Sequence, residues 1–183
     1  AALGPTYPTG KSPVSPLRHE IESALRDQPI EIIRSVIERL KTGAKVSVDP
    51  DRFRRLVLTW EDIRDLTKQG MRFGAHTRSH ANLATVDRAA AEAEIAGSKQ
   101  RIEEQIGSRV TGFAYPYGKN TDAYADLVPI LRQHDFSYAV TACYGVNDSS
   151  TNRFLWGRTT LPSTSSRALI GRLLRLDYCE TRA

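Results

Sequence analysis

Two short stretches carry residue types that can do chemistry. The first is Gly74-Ala75-His76-Thr77-Arg78-Ser79-His80. Two histidines four apart converge on one metal ion when the residues between them form a helical turn or a tight loop, and Zn²⁺ takes imidazole ligands. A catalytic zinc keeps three protein ligands and one open position, so this pair is part of a site. The alternative is one exposed ring and one ring satisfying a local hydrogen bond. The second stretch is Phe113-Ala114-Tyr115-Pro116-Tyr117-Gly118. Pro116 fixes the backbone and Gly118 permits a sharp turn. Such a segment can aim backbone N–H groups at a reacting carbonyl, as in an oxyanion hole. Its aromatic rings can line a sugar site. The alternative is an ordinary strand-to-loop transition with aromatic packing. Cys143 and Cys179 form no CxxC pair and read as free thiols, which leaves the redox compartment open.

Both stretches need strands to position them, and the flanking pattern supplies candidates. Residues 1–16 hold four prolines and two glycines, a loop or tail. His19–Arg26 and Pro29–Thr42 read as helices, the second with Ile30, Ile33, Val36, Ile37 and Leu40 at helical spacing and closed by Gly43. Asp49-Pro50-Asp51 reads as a turn. Thr59 can cap a helix over Trp60–Gln69, with Asp62 completing a capping box and Gly70 ending it. Met71–His76 is then a short strand, and Asp87 opens a long helix through Ile106, ended by Gly107. Val110–Tyr115 is a strand, Asp122–His134 a helix, and Phe136–Thr141 and Phe154–Thr159 strands. Ser165–Leu176 is a last helix. Strands alternating with helices predict parallel βα units. Both stretches then fall at strand ends, the edge where parallel α/β folds build their sites. The strands are few, and before residue 58 Lys45–Val48 is the sole candidate. Either the α/β layer is small or its first strands are missing.

Composition narrows the function classes. The chain has 183 residues, 40% hydrophobic and 26% charged, ordinary for a globular protein able to bury a core. No apolar run approaches the roughly 20 residues needed to span a bilayer. The net charge of +5 is scattered, with its densest cluster at Arg52, Arg54 and Arg55. Phe53 alone interleaves that cluster, short of the repeated aromatic–basic pattern of a single-strand-binding surface, so nucleic acid is not an expected partner.

Taken together, the two stretches and their surroundings resemble the polysaccharide deacetylase family, the NodB-homology carbohydrate esterases. The resemblance runs from about Leu58 to Leu161. Thr59–Leu66, Gly70 and Gly74–Leu83 resemble the family's zinc-histidine motif and its lead-in. Glu94-Ile95 and Ser98-Lys99 resemble its following helix, and Phe113–Gly118 its Pro-Tyr-Gly motif. Phe136, Ala139-Val140-Thr141 and Arg158 resemble later positions of a bacterial subgroup.

The resemblance implies a distorted barrel of β/α units and a divalent metal, usually zinc, held by one Asp and two His, here His76 and His80. It implies a second Asp as base, the Tyr117 backbone N–H as oxyanion donor, and Tyr115, Pro116 and Tyr117 facing a polysaccharide substrate. The family's adjacent Asp pair is absent, since no Asp-Asp dipeptide occurs in the chain; Asp49 and Asp51 sit on a polar turn instead. Ala114 stands where many relatives have the Arg that orients the base, a role Arg158 can take; the alternative for Arg158 is a structural one. No Leu-x-His pattern for a general acid occurs near the C-terminus. His134 at a helix end reads as capping carbonyls, with a catalytic acid as the alternative.

These features lead to the expectation of an N-terminally truncated member, a partial barrel preceded by a helical insertion. Its parts would be a 1–16 tail, a 17–57 insertion and a 58–183 deacetylase-like region. The expected function is metal-dependent deacetylation of an N-acetylated polysaccharide, inactive in the truncated form. The alternative is a non-catalytic glycan-binding or scaffold module. The compartment stays undetermined.

Overall fold

A computed structural model of the chain describes residues 15–44, 51, 56–118 and 124–159. The chain divides into two compact units, Ala1–Val46 and Ser47–Ala183. In the first, helices α1 (Ser15–Leu25) and α2 (Ile30–Ala44) are joined by a turn in which the Gln28 N–H donates to Leu25 O. α1 begins at Ser15, inside the stretch expected to be a loop, because a proline in the first turn forfeits no helical hydrogen bond. The Pro29 carbonyl accepts the N–H groups of Ile32 and Ile33 and so starts α2. That helix continues through Gly43 to Ala44 instead of closing there. Its apolar stripe is only partly covered: Ile33 and Val36 are half-buried, while Ile32, Ile37 and Leu40 are exposed.

The second unit contains α3 (Trp60–Lys68), α4 (Arg88–Ile106), β1 (Gly112–Ala114), α5 (Val128–Gln133) and β2 (Tyr138–Val140). Thr59 and Asp62 form the expected capping box: the Asp62 N–H donates to Thr59 Oγ1 at 3.2 Å, and the Thr59 N–H to Asp62 Oδ2 at 2.8 Å. α4 starts and stops where the sequence predicts. Asp87 Oδ1 accepts the Ala90 N–H, and Gly107 ends the helix in the left-handed region at φ 66°. Trp60 lies under the Arg101 guanidinium, 5.6 Å from ring centroid to Cζ, which ties α3 to α4. Among the described residues no helix is long and apolar enough to cross a membrane.

β1 and β2 pair in parallel, with Phe113 opposite Ala139. Ala75 bridges to Phe113 and Trp156 to Val140, both in parallel. The sheet thus follows chain order from Ala75 through β1 and β2 to Trp156. Strands expected to run six residues shrink to three residues or to a single bridge. Extended backbone becomes strand only where a neighbour completes its ladder, and Ala75 alone of its stretch does so: its N–H donates to Gly112 O, and its carbonyl accepts the Ala114 N–H, each at 2.9 Å. The helix expected at Asp122–His134 is shortened to α5, with a turn at Asp126–Leu127 before it and Pro129 in its first turn; residues 119–123 lie outside the described residues. So do the expected strand Lys45–Val48 and the expected helix Ser165–Leu176.

Alternation along the strands decides which side chains meet the helices. Ala75, Phe113, Tyr115 and Ala139 form one cluster with Ala91 and Ile95 of α4 and Ile130 and Leu131 of α5. Phe113 sits edge-on to both Tyr115 and Phe136, with ring centroids 5.3 and 5.5 Å apart. The intervening positions, Gly74, His76, Gly112, Ala114 and Tyr138, fall on the opposite face. There Tyr138 stacks on Trp156 at 5.5 Å and covers Gly112 so closely that a Cβ at that glycine would stand 2.6 Å from the phenol.

Candidate metal centre

Alternation places His76 on the face opposite the cluster with α4 and α5, one residue beyond Ala75, and the parallel register brings it beside the end of β1. Its Nδ1 is 2.7 Å from the carbonyl oxygen of Ala114. A carbonyl only accepts, so Nδ1 carries the proton and Nε2 keeps its lone pair. The chain then turns back on itself. Thr77 and His80 both adopt left-handed φ angles, 63° and 60°. The turn sets the His80 ring edge-on to His76, with centroids 4.9 Å apart. Burial, and then repulsion between the two rings whenever both are protonated, pushes His80 below the ordinary histidine pKa, which favours the neutral, ligating form.

The second stretch closes on the same point. Tyr117 is also left-handed, at φ 62°, and its ring lies edge-on to His80 at 5.0 Å. Below it the loop is tightly tied. The Gly118 N–H donates to Pro116 O at 2.6 Å, Tyr124 Oη donates to Pro116 O at 3.0 Å, and the Ala142 N–H donates to Gly118 O at 2.8 Å. Gly118 is required here, because a Cβ would come 2.4 Å from the Ala142 nitrogen and φ is 59°.

Of the three residues expected to face a sugar, only Tyr117 is exposed, at 36%. Tyr115 is 1% exposed, donates its hydroxyl to Phe154 O at 3.0 Å and stacks on Tyr124 at 4.3 Å. Pro116 is buried as well. The reason is the two-residue strand period: Tyr115 shares the helix-covered face with Phe113. Arg158 donates from Nε to Thr141 O at 2.6 Å and from its backbone N–H to Cys143 O at 2.8 Å, anchoring the segment after β2. The ring of His134 meets Glu92, Nε2 to Oε1 at 2.9 Å, in place of helix carbonyls. Asp49 lies outside the described residues, and Asp51 is exposed. Among the described residues no group of three His, Cys, Asp or Glu converges on one point. Two imidazoles, one with its tautomer fixed by a backbone carbonyl, fit a divalent cation as part of its ligand set. A cavity of about 480 Å³ opens at the other ends of the strands, lined in part by Arg72, Gly74, Arg109, Gly112 and Tyr138 and by neither histidine.

Two partners of this site carry no signal in a motif reading. One is the Ala114 carbonyl, since any residue would supply it. The other is Glu94 of α4, whose carboxylate accepts from the Arg78 and Ser79 N–H groups at 2.7 and 2.9 Å and from Ser79 Oγ at 2.8 Å. Only its place in the resemblance to the family's following helix singled it out.

The family profile described as polysaccharide deacetylase matches residues 20–139. The chain belongs to the polysaccharide deacetylase family. Among solved structures it is similar to the Streptococcus pyogenes deacetylase PplD, solved in complex with acetate. That match has 23% identity and a TM-score of 0.56, over 63% of this chain and 50% of that one. It is also similar to BC0361, a polysaccharide deacetylase from Bacillus cereus, at 21% identity and a TM-score of 0.54, over 64% of this chain and 37% of that one. The likeness is one of fold, and it bears out the parallel βα architecture expected of a partial deacetylase barrel. The chain spans half or less of the length of these two proteins. A search of curated proteins gave no match.

Proposed function

We propose that this chain carries the histidine half of a metal site in a deacetylase that removes acetyl groups from an N-acetylated polysaccharide. The observation that supports this best is the His76 Nδ1 contact with the Ala114 carbonyl, which leaves Nε2 as a lone-pair donor beside His80. Family membership supplies the reaction class. Nε2 of His76 and the ring of His80 would hold zinc or another divalent cation, which when bound polarises the acetyl carbonyl and makes water a better nucleophile at neutral pH.

The chain's own residues then have defined tasks. The Ala114 carbonyl holds the His76 proton on Nδ1 and fixes the ring orientation. Burial favours the neutral form of His80. The Tyr117 N–H, at the tip of a loop fixed by Tyr124 and Ala142, donates to the carbonyl oxygen as water adds to the acetyl carbon. The C–N bond then breaks to give acetate and an amino sugar. The Tyr117 ring forms one wall of the sugar site. Tyr115 and Pro116 support the loop from the core, and Arg158 holds the segment after β2.

In the family the third ligand and the base are aspartates, and the sequence holds no Asp-Asp pair. The chain alone is therefore expected to bind metal weakly and to release no acetate. The test is acetate release from N-acetylglucosamine oligomers by the zinc-loaded full-length protein that carries this chain. His76→Ala and His80→Ala are each expected to abolish it. Undiminished release in either variant overturns the reading, and glycan binding without hydrolysis in the wild type points to the non-catalytic module instead.

A further inference from the structure

The loop from Thr77 to His80 is strained at both ends. Thr77 and His80 are non-glycine residues in the left-handed region, and such conformations persist only where their surroundings over-determine them. Between them lie Arg78 and Ser79, and both of their backbone N–H groups converge on one oxygen of Glu94, at 2.7 and 2.9 Å. The other carboxylate oxygen takes the Ser79 hydroxyl at 2.8 Å. Glu94 projects from the middle of α4, a rigid 19-residue helix packed into the core through Ala91 and Ile95.

One turn further along α4 is Gly97, an unfavourable residue for a helix interior. A Cβ there would stand 2.5 Å from Cδ of Arg78, so the glycine makes room for that side chain against the helix. The helix thus provides both a charged acceptor and a gap for one short loop.

We propose that Glu94 is a positioning residue for the metal site: it clamps the 77–80 loop so that His76 and His80 present their rings to one cation. The inference rests on the reading of the two histidines as metal ligands. Outer partners that orient ligands contribute about 10- to 100-fold to metal affinity.

The test is a Zn²⁺ titration of this chain, read from the imidazole ¹⁵N shifts of His76 and His80. Hydrogen exchange of the Arg78 and Ser79 amides in the metal-free protein is the second readout. Glu94→Ala is expected to speed exchange at those two amides and weaken Zn²⁺ binding about 10- to 100-fold. Two conservative variants separate position from charge, and they decide the matter if the alanine variant does not fold. Gln can accept both amides and donate to Ser79 Oγ, so Glu94→Gln should stay within about threefold of wild type although its charge is gone. Glu94→Asp keeps the charge but falls short by one methylene, and should lose affinity as alanine does. Equal Zn²⁺ affinity in Glu94→Ala with freely exchanging amides overturns the inference and leaves the metal pair standing. So does affinity that follows charge, kept in Asp and lost in Gln. Wild-type imidazoles that stay unshifted even in large excess of Zn²⁺, where a weak two-histidine site still fills, remove the metal reading itself, and the inference with it.

Discussion

At the scale of single residues, what matters at the proposed site is which atom of each ring is already engaged. His76 spends Nδ1 on a backbone carbonyl, while Tyr115 spends its hydroxyl on Phe154 and has nothing left for a sugar. The same economy governs Asp148, far from the histidines in sequence. Its Oδ1 accepts from the N–H and hydroxyl groups of both Ser150 and Thr151. These bonds hold its pKa down to about 2, against an ordinary 3.8. A carboxyl depressed in the folded state stabilises that state only while ionised. Its contribution is complete above about pH 3.8 and is lost as the pH falls toward about 2. A carboxyl ¹³C titration should place the Asp148 midpoint near the lower figure, and Ser150→Ala with Thr151→Ala should return it toward 3.8. A wild-type midpoint already at 3.8 refutes the turn described here.

At the scale of elements, the caps of α3 and α4 were legible, the stop of α2 at Gly43 was not, and neither was pairing. Thr59, Asp62, Asp87 and Gly107 act within one turn of where they stand, so their types alone locate the ends of α3 and α4. Removing the Thr59 hydroxyl takes one half of a reciprocal pair and leaves the Asp62 N–H without its acceptor. Thr59→Ala should cost about 1 kcal/mol. Urea denaturation of the two proteins checks this, and an unchanged midpoint would mean that the box contributes nothing. Strand limits, by contrast, depend on a partner far along the chain. Met71–His76 has the composition of a strand, but only Ala75 finds a ladder. The His-x-x-x-His and Pro-Tyr-Gly segments could be located, since their types and spacing are local. The contact of His76 with Ala114 and the hold of Glu94 on Arg78 and Ser79 could not, because they join residues 38 and 15 to 16 apart. Tyr115 follows from alternation alone: two residues beyond Phe113, it falls on the same buried face.

At the scale of the whole molecule, stability in the sheet-bearing unit is concentrated in one cluster on one face. Phe113 stands at its middle, 1% exposed and in contact with rings from the same strand and from Phe136. Deleting a buried phenyl ring costs about 3–5 kcal/mol, a large share of the 5–15 kcal/mol that folded proteins hold in all. Phe113→Ala should therefore lower the urea midpoint of this unit by the equivalent of about 3–5 kcal/mol, with amide dispersion from β1, β2, α4 and α5 lost together at a urea concentration the wild type withstands. A variant that keeps native dispersion there would show that the cluster is less cooperative than its packing implies.

The two tryptophans of the chain have both been placed in this unit, Trp60 beneath Arg101 and Trp156 against Tyr138. The helix pair α1–α2 has none. Intrinsic emission excited at the indole band is therefore blind to the first unit, whereas the far-ultraviolet dichroism of α1 and α2 registers it. Melting curves recorded by the two signals would coincide if the units unfold as one and separate if they do not, with no added label on either.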